Sequence, residues 1–280
     1  MTIELTEYNK FIFMASIVGD PLGNKNAIDF VTSFLEALGF NIQISNTKHT
    51  AQPTIIAHYS GRLCDKKIVI YGHYDVAPVK SENNWLSENP FLLKRINGRI
   101  YGRGIADNKG PLLARMLAMK SLILSKKAIP EIMWLIQGEE EIMHGNRVAY
   151  DIFKHEISSF GANTYIEETG FNNLDTGSQI AFLWSPSLTD LQLSSWHDLL
   201  NHSLDNPNIE YRHLNKLNGI KACPLLANLP KDSVYIGFGP NDRLHNIHQD
   251  NESLDESNLL KHQKQFENFL ANYASYSHAV

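Results

Sequence analysis

The sequence predicts an α/β fold in which a mostly parallel central sheet is flanked by helices on both faces. Three observations predict it. Short runs of β-forming residues alternate with amphipathic helical patterns, the signature of strands joined by crossover helices. The chain has 280 residues, 43% of them hydrophobic, which is enough to bury the core of one large domain. The His and acidic residues that stand out lie just past predicted strands, on the rim where an open parallel sheet binds its ligands.

The elements follow in order. Tyr8, Phe11 and Ile12 share one helical face, and Ile28, Val31, Phe34, Leu35 and Leu38 share another, stopped by Gly39. Apolar runs at residues 40–44, 54–58 and 68–71 read as strands. A helix from about Pro111 to Leu124 is expected to bury Leu112, Leu113, Met116, Leu117 and Leu124, and Pro111 suits its first turn. Further strands are predicted at residues 132–136, 164–166, 180–184 and 233–238. A last helix spans about Leu254 to Tyr273, with Ser253 and Glu256 as its capping box. The segment 185–229 is punctuated by Pro186, Pro207 and Pro224 and holds one helix, Asp190–Leu204, and a loop. Neither a repeat nor a low-complexity tract points to a second domain.

Composition narrows the function classes. With 25 Lys and Arg against 30 Asp and Glu, the net charge is −5. There is no basic footprint of the kind that neutralises phosphates, so nucleic acid is excluded as a partner. Two cysteines, Cys64 and Cys223, form no metal-like or disulfide spacing and read as small hydrophobes in a reducing setting. Residues 1–10 are polar and carry Glu4 and Glu7, unlike a signal peptide, and no apolar run approaches the length of a membrane span. A cytoplasmic chain with no membrane partner is expected.

The chemistry gathers past the strands: His73 and Asp75, the run from Glu139 to Glu141, Glu167 and Glu168, and His245 and His248. Carboxylates converging on one rim repel one another and shift upward in pKa unless a cation neutralises them. A metal is the economical answer. His with Asp and Glu, without thiolate, suits zinc, manganese or cobalt, and zinc is expected. His73 and Asp75 share a face of an extended segment, so Asp75 can accept a hydrogen bond from the imidazole and orient it.

Several blocks here resemble the M20 metallopeptidases. They are Tyr71-Gly-His-Tyr-Asp-Val76, then Trp85 and Asn89-Pro-Phe91, then Gly98-Arg-Ile-Tyr-Gly-Arg-Gly-Ile-Ala-Asp-Asn-Lys-Gly-Pro111, and Gly138-Glu-Glu-Glu-Ile142. His248-Gln-Asp-Asn-Glu-Ser-Leu254 is similar to the family's closing histidine motif. The flavour is that of the dipeptidase branch that includes the carnosine dipeptidases. The resemblance implies a zinc-peptidase-like domain with two divalent ions. His73 and Glu168 would bind one, Glu141 and His248 the other, and Asp107 would bridge them. Asp75 would orient His73, and Glu140 would be the general base. Adjacent side chains at a strand end diverge, which supports different tasks for Glu140 and Glu141. Glu167 remains an alternative to Glu168, and His245 to His248. Arg103 and Lys109 are expected to hold backbone and carboxylates, Trp85 and Phe91 to pack. His144, His197, His202 and His213 read as exposed or structural.

The resemblance implies hydrolysis of an amide or peptide bond in a small peptide or N-acyl amino acid by activated water. Acyl transfer or condensation on the same fold, and a non-catalytic binding module, are the rivals. Family members carry an inserted lid domain that dimerises. The segment of about 185–229 is too short for one, so 1–280 is expected to be a single catalytic domain, a monomer or a dimer of another kind. Asp190-Leu-Gln-Leu-Ser194 begins like the family's Asp-Leu-His-Ser-Gly block, with Gln192 in place of its histidine. The substrate loop is reduced to Asn218-Gly-Ile-Lys221.

Overall fold

A computed structural model describes residues 3–45, 52–80, 84–168, 170–185, 187–206, 210–213 and 223–276. The chain opens with α1 (Thr6–Phe13) and α2 (Pro21–Ala37), then β1 (Asn41–Ile44), β2 (Ile55–Tyr59) and β3 (Lys67–His73). A hairpin of β4 (Lys94–Ile96) and β5 (Arg99–Tyr101) precedes α3 (Lys109–Leu124), β6 (Glu131–Gln137) and α4 (Met143–Phe160). Next come β7 (Thr164–Glu167), β8 (Phe171–Asn172), β9 (Gln179–Trp184), α5 (Asp190–Leu204), β10 (Glu210–His213) and α6 (Pro224–Ala227). The chain closes with β11 (Val234–Gly237), β12 (Ser253–Asp255) and α7 (Glu256–Ser275).

The central sheet has nine strands in the order β1-β2-β6-β3-β7-β11-β9-β10, with β8 paired to β9. Its heart, β6-β3-β7-β11, is parallel, and β2 on one side and β9 on the other join it antiparallel. Period-two alternation feeds both faces. Ile68 and Ile70 of β3, with Ile132, Trp134 and Ile136 of β6, point into the core shared with α1, α2, α3, α5 and α7. Val69, Tyr71, Met133 and Leu135 point the other way, onto Ala149, Phe153 and Ile157 of α4 and Leu225 of α6.

Several elements depart from expectation: β4, β5, β8, β10 and α6 are additions, and Leu124, expected in the core, is 71% exposed because it lies two positions past the buried Leu122, off that face of α3. The helix α4 is an addition, although Ala149, Phe153 and Ile157 repeat at a spacing of four and Gly161 ends the helix in the left-handed region. At the other end, residues 253–255 are strand, not helix. Ser253 pairs with Tyr101 and Leu254 with Ile100, so Asp255 becomes the N-cap and accepts from the Ser257 N–H at 2.9 Å. Ser253 and Glu256 do not form a capping box: the Ser253 hydroxyl accepts from Arg99, and Glu256 accepts from Arg95 and the Ile3 N–H.

The described part of 185–229 is built into the main fold. Helix α5 packs on α7, β10 extends the sheet beside β9, and α6 lies on α4. Gln192 caps α5 together with Thr189, each receiving a backbone hydrogen bond from the other. The Asn218-Gly-Ile-Lys221 loop lies outside the described residues.

Candidate metal centre

The site forms where β3, β6 and β7 end on the same side of the sheet and two loops fold over them. His73 is the last residue of β3 and is buried, 1% exposed. Asp107 stands two residues before α3, and the backbone N–H of His73 also approaches the Asn108 side chain. Glu140 and Glu141 follow β6, Glu168 follows β7, and His248 sits on the loop between β11 and β12. Two glycines admit the close approaches this needs. A Cβ on Gly72 would lie 3.2 Å from Glu168 Oε2, and one on Gly110 would lie 2.0 Å from the Ile105 carbonyl oxygen.

Asp107 divides the cluster. Its Oδ1 lies 3.0 Å from His73 Nε2, and that same nitrogen is 3.4 Å from Glu168 Oε1. Its Oδ2 lies 3.2 Å from His248 Nε2, which is 2.8 Å from Glu141 Oε2. Each carboxylate oxygen of Asp107 therefore faces its own His and Glu. One ligand atom from each of His73, Asp107 and Glu141 falls within 4.8 Å of the others. Glu140 Oε2 stands back, 3.9 Å from His73 Nε2.

Asp75 works in two directions. Its Oδ1 is 3.2 Å from His73 Nδ1, and its Oδ2 accepts the Glu141 N–H at 2.9 Å, so one buried carboxylate fixes a donor of each group. Of the paired alternatives, Glu168 faces His73 while Glu167 accepts from the Tyr235 hydroxyl at 2.8 Å. His245 accepts the Ile247 N–H on its own loop, whereas His248 faces Asp107.

Charge crowding shows in the titration of these groups. Burial pushes the Glu140 carboxyl up to about 7, with His73 opposing and Asp107, Asp75 and Glu141 adding to the rise. Burial also lifts Glu168 well above the usual carboxylate range, against the pull of His73. Burial works against the Asp107 carboxylate too, but hydrogen bonds from His248 and His73 outweigh it and hold that carboxyl low. His248 is raised to about 10 by its bonds to Asp107 and Glu141.

The donors fit a divalent cation. Glu141 Oε1 and Glu168 Oε2 are buried without a hydrogen-bond partner among the described residues, and a buried carboxylate oxygen left bare is costly unless a cation takes it. Oxygen and imidazole nitrogen without thiolate suit zinc, manganese or cobalt.

Asp75 and Arg103 stand where sequence reasoning expects supports, but it gives no role to Arg115 or Glu252. Arg115 of α3 is buried, with its guanidinium 5.0 Å from the centre of the Phe266 ring. It donates to the carbonyls of Glu167 and Phe238 at 3.0 and 2.9 Å, and to His262 Nε2 at 3.1 Å. Burial beside Arg115 keeps the His262 imidazole neutral, so it can accept that bond. Arg115 thus ties the end of β7 to that of β11 directly beneath the site. Glu252 is equally buried and accepts from Arg103 and three backbone N–H groups. A fully apolar helix face interrupted by one arginine was the available signal for Arg115; Glu252 lies within the closing histidine block, which by itself assigns it no partner.

The remaining residues lie elsewhere. Lys109 Nζ donates to the Phe11 carbonyl at 2.9 Å, and Trp85 is buried with Arg103 stacked 5.4 Å above its ring. Phe91 is half-buried. His197 lies tilted against the Tyr211 ring, 4.9 Å between centres, and His202 is exposed, both on α5 at the far edge of the sheet. The side chains of His144 and His213 lie outside the described residues. No described helix is long and apolar enough to cross a membrane.

Fold and donor set together define a metallopeptidase-type α/β domain with a site suited to divalent metal. The profile of peptidase family M20/M25/M40 matches residues 69–272, and the chain belongs to that family. It is similar to the Beta-Ala-His dipeptidase of Rattus norvegicus, 32% identical over 109 residues, which is 39% of this chain and 22% of that protein. It is also similar to the succinyl-diaminopimelate desuccinylase of Verminephrobacter eiseniae, 31% identical over 192 residues, 60% of this chain and 46% of that protein. The matches thus span less than half the length of these curated relatives. Human carnosine dipeptidase 1 shares the fold with a TM-score of 0.69 at 13% identity, over 97% of this chain and 96% of that one. The di-peptidase Dug1p of Saccharomyces cerevisiae does so with a TM-score of 0.73 at 13% identity, over 98% and 96%.

Proposed function

We propose that this chain is a zinc-dependent hydrolase with two metal ions, cleaving an amide or peptide bond in a dipeptide or N-acyl amino acid. The observation that carries the reading is the division of Asp107, whose two carboxylate oxygens face separate His and Glu pairs. His73, Glu168 and Asp107 Oδ1 would hold one ion; His248, Glu141 and Asp107 Oδ2 the other. Such ions supply Lewis acidity toward a carbonyl and lower the pKa of water. Asp75 receives the Nδ1 proton of His73, which leaves the Nε2 lone pair directed at the centre. Glu140 stands off the donors with a carboxyl near neutrality, suited to take a proton from water and return it to the leaving amine. The relatives support the substrate class, since one is named a dipeptidase and another a desuccinylase.

The same reading takes 1–280 as one catalytic domain without an inserted lid, a monomer or a dimer of another kind, working in the cytoplasm. It is supported by the way α5, β10 and α6 are consumed in covering and extending the sheet. Elemental analysis of the purified chain followed by an amide panel at defined metal content tests the function. Two zinc ions per chain and release of a free amine are expected. A stoichiometry of one or zero after zinc reconstitution overturns the two-ion centre, and mass-spectrometric detection of acyl transfer to an added amine, without hydrolysis, overturns the reaction. Light scattering distinguishes monomer from dimer.

A further inference from the structure

The loop that carries His248 and the segment that delivers Asp107 are joined by one buried carboxylate. Glu252 is fully buried, 0% exposed, and among the described residues its side-chain bonds go to the segment that delivers Asp107. Its Oε2 accepts from Arg103 Nη1 at 2.7 Å and from the Gly104 N–H at 3.0 Å. Its Oε1 accepts from the Ala106 N–H at 2.8 Å and from the Asp107 N–H at 3.0 Å. Charge-assisted bonds of this kind are shorter and stronger than neutral ones, and a carboxylate taking four of them leaves little freedom to the backbone it grips.

Glu252 also belongs to the His248 loop. That loop leaves the fold at His245 and returns at Ser253, where the Ser253 N–H donates to the His245 carbonyl at 2.9 Å. His248 stands in the left-handed region with φ +62°, as does Asn251 with φ +60°, so the chain turns sharply on either side of the ligand. Immediately beyond Glu252, β12 pairs with β5, and the Gly102 N–H continues that ladder onto the Glu252 carbonyl at 3.0 Å. The backbone of Glu252 thus registers the His248 loop on the strand leading to Asp107, while its side chain grips the loop that follows that strand.

We propose that Glu252 is a positioning residue that sets the separation of Asp107 and His248, and so tunes the affinity of the metal centre without touching the metal. The proposal rests on the two-ion reading given above. Loss of an outer support of a metal ligand typically weakens binding about 10–100-fold. A carboxamide at position 252 keeps the shape but must turn its NH2 toward an N–H donor, so Glu252→Gln should release Asp107 from its backbone anchor.

The test titrates zinc into the metal-free chain against a chromophoric chelator, with thermal melting of each metal-free variant alongside. Glu252→Gln is expected to remain folded and to bind zinc about 10–100-fold more weakly. Glu256→Gln is the control. That carboxylate is also buried and paired with an arginine, Arg95, but it lies outside the cluster, so its loss should lower the melting temperature and leave zinc affinity unchanged. The double variant Arg103→Met with Glu252→Gln removes the stranded cation. It should recover thermal stability while zinc affinity stays low, and it serves if the single variant does not fold. Wild-type zinc affinity in either Glu252 variant, or an equal loss in Glu256→Gln, overturns the positioning role. A wild-type chain that binds no divalent ion overturns the metal reading itself and this proposal with it.

Discussion

The two halves of the site are built from different materials. His73 and Glu168 continue directly from the parallel strands β3 and β7; His73 is sealed, and Arg115 grips the backbone just before Glu168. His248 rides on a loop and its side chain is 53% exposed, though its neighbour Glu141 is 4% exposed. A donor at a strand end inherits its position from the sheet, whose hydrogen bonds and buried faces are shared by the whole core. A donor on a loop has no such inheritance and must be tied down locally, which is the task the geometry gives to Asp75 and Glu252. The sheet-borne half is therefore expected to be the more rigid, and the loop-borne half the more readily loosened.

Removing the shared element should have the largest effect. Asp107→Ala takes a donor from both halves at once, and elemental analysis should find both ions lost and turnover absent. Retention of one ion would show that a half can stand alone and would break the symmetry around Asp107. Glu140→Gln leaves both halves intact but removes the proposed proton acceptor. Metal content should stay at the wild-type level while kcat falls on the order of 10²–10⁴-fold. If turnover survives, Glu139 is the next residue to substitute.

Asp75→Asn touches both halves more gently, because Asp75 holds the His73 ring and the Glu141 N–H together. Activity or metal affinity should fall about 10–100-fold, with metal still bound at saturating zinc. Arg115→Met sharpens the comparison from the sheet side. It leaves the buried carbonyls of Glu167 and Phe238 without their donor, at about 1–3 kcal/mol for each unsatisfied group. The melting temperature of the metal-free chain should drop, and zinc should be lost from the His73 half before the His248 half. Equal loss from both would mean that the sheet supports the whole centre.

The smallest effect is a shift in pH dependence. Glu140 works as a base only when ionised, so kcat/KM should rise with pH as the carboxyl loses its proton. Burial places that event at about 7 in the metal-free site, and bound cations stabilise the carboxylate and move it downward. The acid limb of the profile should therefore fall at or below about pH 7 and disappear in the residual activity of Glu140→Gln. A limb well above 7 would assign it to another group.

How much of this was legible in the sequence follows the same division. The central strands were readable because Ile68, Val69, Ile70 and Tyr71 form a run buried on both faces, which only an interior strand tolerates. Candidate donors at the ends of such strands were readable with them. Helix α4 carries a signal of its own in Ala149, Phe153 and Ile157, which repeat at a spacing of four and share its buried face. The start of α7 misled for a physical reason. Ser253 and Glu256 satisfy a capping pattern locally, but pairing of Ser253 with Tyr101 holds that backbone extended.

The sequence by itself determined the alternation of strands and helices, the family to which the chain belongs, and a set of His, Asp and Glu side chains able to take a cation. Those properties reside in periodicity and short motifs, where residues a few positions apart act together. Only the tertiary structure decided that Glu168 rather than Glu167 faces His73, that Asp107 divides its two oxygens between separate pairs, and that Arg115 and Glu252 stand behind them. Glu252 reaches the N–H of a residue 145 positions away. No local pattern encodes such a partner, because a buried charge finds its donors only after the sheet has brought distant loops together.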